Sequence, residues 1–118
     1  MEKWLGPMYL VDTNIWLERL LEQERADEVG AFLDVVPASE LWMTDFAFHS
    51  IGVIVTKLGK TEVLSAFVQD VLADGNARLI HLEPGDTGRI IAAITRFDLD
   101  FDDAYQYTAA EKYDLEFT

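Results

Sequence analysis

Met8-Tyr9-Leu10-Val11 is an apolar run with no polar break, the pattern of a central strand buried on both faces. Asp12-Thr13-Asn14 follows, three good helix-capping residues, and Ile15, Leu17, Leu20 and Leu21 then recur at helical spacing. A second helix fits Asp27 to Val36, with Val29, Phe32, Leu33 and Val36 on one face and Pro37 closing it. Glu40 to Thr44 predicts a short strand. From Asp45 to Leu58 the chain is strongly apolar; its length and Gly59 favour a buried helix, while the β-branched run keeps a strand open. Thr61 to Leu72 is amphipathic and ends at Gly75-Asn76.

Arg78 to Leu82 predicts a third strand. Pro84-Gly85-Asp86 turns into a helix through Ile90, Ile91 and Ile94, and Asp98 to Asp102 is a short connection. Asp103 to Tyr113 is helical again, and Leu115 to Thr118 begins a fourth strand. Strands alternating with helices predict an α/β fold of three layers (α/β/α), a parallel sheet of about four strands covered on both faces. Trp16, Trp42, Phe46, Phe48, Phe67 and Phe97 fall at apolar-face spacings and are expected in the core. Gly52, inside a buried helix, is expected to let a neighbour approach closely.

A chain of 118 residues is one domain, read here as an extension over residues 1–7 and a domain over 8–118. It has no cysteine, which excludes disulfides, a thiol nucleophile and cysteine-ligated metal, and makes a reducing cytoplasm the expected home. No apolar run reaches the roughly 18–20 residues of a membrane span, so no membrane is expected. The net charge of −13 argues against coating nucleic acid through the bulk field. The nine Lys and Arg residues are scattered along the chain, and no continuous basic track is visible.

In open parallel sheets, ligands bind beyond the carboxyl ends of the strands. The polar residues there are Asp12 and Asn14, then Thr44 and Asp45, then Glu83, with Asp102 and Asp103 opening the last helix. Converging carboxylates are costly unless a cation neutralises them, and Mg²⁺ or Mn²⁺ with oxygen ligands suits phosphodiester hydrolysis. The plain alternative is that Asp at a strand–helix junction caps the helix, which fits both Asp12 and Asp103.

Met8-Tyr9-Leu10-Val11-Asp12-Thr13-Asn14-Ile15-Trp16-Leu17 resembles the opening of PIN domains, the nuclease fold of VapC-type toxins. Asp103-Ala104-Tyr105-Gln106-Tyr107-Thr108-Ala109-Ala110 resembles the family's Asp-Ala helix; Met43-Thr44 and Phe117-Thr118 fall in family order. The resemblance implies endonucleolytic cleavage of single-stranded RNA with Mg²⁺ or Mn²⁺ held by about four carboxylates. By that resemblance Asp12 matches the first acid and Asp103 the third, both as metal ligands, and Asn14 matches a polar residue that orients the first Asp or a metal-bound water. Ser50, with His49 adjacent, stands where the family has its second acid. The fourth would lie two residues past Thr118. The resemblance further implies RNA as substrate, a cognate antitoxin and, together with an open strand edge, a homodimer. The alternative is a non-catalytic PIN-fold module, binding nucleic acid or protein, that has lost part of the acidic site.

Overall fold

Alternation along two short strands decides how the molecule is layered. The computed structural model describes residues 6–21 and 35–118. In it β1 (Tyr9–Leu10) and β2 (Leu41–Thr44) lie parallel, Tyr9 opposite Leu41 and Leu10 opposite Trp42. β3 (Arg78–Ile80) adds outside β2, and β4 (Glu116–Phe117) adds to the free side of β1. The order is β3-β2-β1-β4, all parallel, which matches the expected sheet.

Successive strand residues point to opposite faces. Val11, Leu41 and Met43 therefore enter one core with Trp16 and Leu17 of α1 (Thr13–Leu20), Ala47, Ile51 and Val55 of α2 (Asp45–Lys57), and Phe67 of α3 (Thr61–Phe67). Leu10, Trp42 and Ile80 enter the other with Ile90 and Ala93 of α4 (Thr87–Phe97) and Ala104, Ala109 and Ala110 of α5 (Phe101–Lys112). These are the three predicted layers.

Residues 45–57 resolve to helix, because Thr44 caps them and Leu58 ends them. The amphipathic stretch from Thr61 changes character at Val68, where wider turns carry it to Ala73. The last helix starts at Phe101, two residues earlier than expected, because Asp100 supplies the cap. Phe97 is 43% exposed rather than core, and Phe46 and Phe48 are half-buried. Gly52 has nothing within 4 Å of where a side chain would start among the described residues, so none of them explains it by a close approach. Most of the helix expected over 27–36, and residues 1–5 of the extension, lie outside the described residues.

Candidate metal centre at the carboxyl edge of the sheet

Asp12 is the second residue past β1. Its backbone N–H donates to the Thr118 carbonyl at 2.7 Å, which pins it between β1 and β4, where the order of strands reverses. Its carboxylate accepts from the Thr13 amide at 2.8 Å and caps α1. Burial pushes the carboxyl above its ordinary pKa; the Thr13 bond opposes that, and the charge of Asp103 raises it further. Asp12 and Asp103 therefore sit within each other's field, although most of the chain separates them.

Asp103 does not cap its helix. Asp100 does, its Oδ1 accepting from the Asp103 amide at 2.8 Å, which leaves the Asp103 carboxylate exposed and free of that duty. Capping thus accounts for Asp12 but not for Asp103. Asp102 lies exposed on the same turn and is not the cap either. Asn14 is exposed in the first turn of α1.

Two bonds set how α5 lies across the strand ends. The Thr44 hydroxyl, fully buried at the tip of β2, donates to Gln106 Oε1 at 2.9 Å and accepts from the Ala47 amide at 3.0 Å. Gln106, itself 3% exposed, stands three residues beyond Asp103. The Tyr105 hydroxyl accepts from the Leu82 amide at 2.9 Å and donates to Asp45 Oδ1 at 2.8 Å. Burial and the neighbouring Asp45 raise the Tyr105 phenol above its ordinary pKa, so it stays a donor at neutral pH. Sequence reasoning missed Gln106 as a tether. Its signal was a polar residue among Ala104, Ala109 and Ala110, on the apolar stripe of the helix.

The remaining acids are engaged elsewhere. Asp86 is ion-paired to Lys112 at 2.8 Å and accepts from the Glu83 amide, and both bonds hold its carboxyl below the ordinary range. Glu83 faces His81 at 3.2 Å. Asp45 takes the Tyr105 hydroxyl and the Phe46 amide. His49 is exposed, on a surface cleft it shares with Phe48, Gly52 and Val53, and adjacent Ser50 is half-buried. Among the described residues, no group of three or more His, Asp or Glu side chains converges to hold a metal. What remains is a pair of carboxylates, an oxygen-only donor set that suits a hard divalent cation.

Comparison with known proteins addresses the same stretch of chain. The family model described as PIN domain matches residues 9–117. No curated protein sequence matches. Among solved structures, a toxin–antitoxin complex from Klebsiella pneumoniae superposes with a TM-score of 0.71 at 20% identity, covering 92% of this chain and 82% of that one. VapC20 of Mycobacterium tuberculosis, a Sarcin-Ricin loop cleaving toxin, superposes with a TM-score of 0.74 at 14% identity, covering 91% and 84%.

Proposed function

This chain belongs to the PIN domain family, and from that premise we propose that it is a divalent-metal-dependent endoribonuclease, the toxin of a toxin–antitoxin pair. The observation that carries the proposal is that the charge of Asp103 reaches Asp12 at the sheet's carboxyl edge, with Asp12 raised in pKa chiefly by burial and Asp103 relieved of capping. Two carboxylates held against each other store repulsion that a cation removes. Mg²⁺ is commonly bound through one or two carboxylates, with waters and substrate phosphates completing its shell, so a third acid is not a prerequisite. Such a cation, held by Asp12 and Asp103, would polarise a phosphoryl oxygen and lower the pKa of water for attack on phosphorus. Thr44, through Gln106, and Tyr105, through Leu82 and Asp45, hold α5 so that Asp103 keeps its distance from Asp12. Asn14, two residues beyond Asp12, is placed in this reading to orient that carboxylate. The two toxins of the same fold support an antitoxin as partner and RNA as substrate.

Calorimetric titration with Mn²⁺ of the wild type and of Asp103→Asn tests the site. Saturable binding, lost on substitution, together with Mn²⁺-dependent cleavage of RNA, is the expected result. A folded wild type that binds no Mn²⁺ overturns the proposal. That outcome would favour the second reading, a PIN fold used for contacts alone, which draws on Ser50 standing where the resemblance expects an acid and on the lack of a third ligand among the described residues.

A further inference from the structure

Beside Asp103, the face shared by α4 and α5 carries a groove that the metal centre does not use. Residues four apart on a helix lie on one side, and Asp103, Tyr107 and Glu111 form such an exposed stripe along α5. Tyr107 is a wall of two clefts. One, of about 230 Å³, is closed by Leu99, Asp103 and Phe117. The other, of about 130 Å³, is lined by Arg89, Arg96 and Phe97 of α4 together with Glu111. Tyr107 is thus the shared wall between a cleft at Asp103 and one that holds Arg89, Arg96 and Glu111, and the two together make up the groove.

Its chemistry differs from the rest of a chain that carries 22 acids against nine bases. The Phe97 and Tyr107 rings lie 5.0 Å apart at 58°, and both are more than a third exposed. The Arg96 guanidinium stands 5.1 Å from the centroid of the Phe97 ring. Arg89 is bound to Glu111 at 2.8 Å, but Arg96 forms no ion pair among the described residues. Aromatic faces stack on any base, and an arginine laid on such a ring brings a phosphate-binding charge to the stacking platform.

We propose that this groove binds single-stranded RNA flanking the scissile phosphate, with a base stacked on Tyr107 and Phe97 and an adjacent phosphate on Arg96. The proposal rests on the ribonuclease reading above. A protein partner could cover the same rings, but Arg96, which feels Glu111 yet forms no ion pair among the described residues, and the shared wall at Asp103 favour nucleic acid.

The test is fluorescence anisotropy with a fluorescein-labelled single-stranded RNA of about 12 nucleotides and mixed sequence. The full chain carries Asp12→Asn to suppress cleavage, with Mg²⁺ present. Stacking is worth roughly 1–3 kcal/mol per base, so Phe97→Leu and Tyr107→Leu should each weaken binding about five- to a hundredfold. Tyr107→Phe, which keeps the ring, should retain affinity. Arg96→Gln should reduce the slope of log affinity against log salt by about 0.7, the value for one phosphate on a single strand. Lys57→Gln on α2 is the control. Unchanged affinity and slope in the groove variants, with metal-dependent cleavage intact on the Asp12 background, overturns the groove and leaves the ribonuclease standing. A change of molecular mass by light scattering without change in RNA affinity assigns the face to protein contact and overturns it too. Absence of both RNA binding and cleavage in the unsubstituted protein removes both proposals.

Discussion

A carboxylate half sunk beside another carboxylate is held in its charged form at a cost, and Asp12 is in that position. Because its folded pKa lies above the ordinary 3.8, the penalty is absent below that value and grows as pH rises through the raised one. Asp12→Asn keeps a capping oxygen and removes the charge. At pH 7 it should raise the melting temperature, with the gain vanishing near pH 3.8. It should also abolish Mn²⁺ binding, so calorimetry and thermal melts would move in opposite senses, as expected where a site is strained for function. A melting temperature that falls at pH 7 would contradict this account. Thr108 offers the converse test: its hydroxyl is buried with no partner among the described residues, and Thr108→Val should stabilise by about 1 kcal/mol in urea unfolding. At this scale Asp12 stood out as a polar residue after an apolar run, whereas Asp103 stood out as the opening of the last helix and through the Asp-Ala resemblance. Gln106 and Tyr105 were not legible, since a polar residue on a helix reads as solvent-facing until a strand end is seen to meet it.

The last helix shows how one cap places a functional group. Three aspartates, Asp100, Asp102 and Asp103, precede or open α5, and each is a competent cap by type. The sequence pattern put the start at Asp103, but the helix begins after Asp100, which moves Asp103 into the first turn with its carboxylate outward. Asp100→Ala should cost about 1 kcal/mol, read as a lower urea midpoint, and should weaken Mn²⁺ binding although residue 100 touches no metal. Thr44→Val removes the bond to Gln106 and the cap of α2 at once. A loss of roughly 2–3 kcal/mol is expected from a buried amide left unpaired, and Thr44→Ser should restore most of it. The strands were readable from their apolar runs. The wider turns over Val68–Ala73 were not, because a helix that widens keeps nearly the same apolar face.

Across the whole molecule the net charge of −13 works against compactness. Raising NaCl from about 0.05 to 0.5 M should therefore raise the melting temperature, while RNA affinity falls over the same range through counterion release. Acid should act the other way on two ion pairs, the partly buried Lys112–Asp86 and the exposed Arg89–Glu111. Lys112 holds Asp86, and Arg89 holds Glu111, below their ordinary 3.8 and 4.5, so what these pairs contribute is present above those values and lost as pH falls beneath them. The layer order was legible from alternating strands and helices. The meeting of Arg89 and Arg96 with Tyr107 and Glu111 on one cleft was not, because those side chains come from two helices that adjoin only once α4 packs on α5.

The pairing of β4 with β1 bears on timing. The Glu116 amide donates to Met8, the Thr118 amide to Leu10, and the Asp12 amide to Thr118. Stretches more than a hundred positions apart are thus joined, and the earlier one waits for the later. Contacts of such sequence separation close slowly, after local helices have formed. A nascent chain has its first aspartate long before its second, and the two meet only when the closing strand has zipped into place. If the pair acts on RNA as proposed, the fold would withhold it until residues 116–118 have been made and paired.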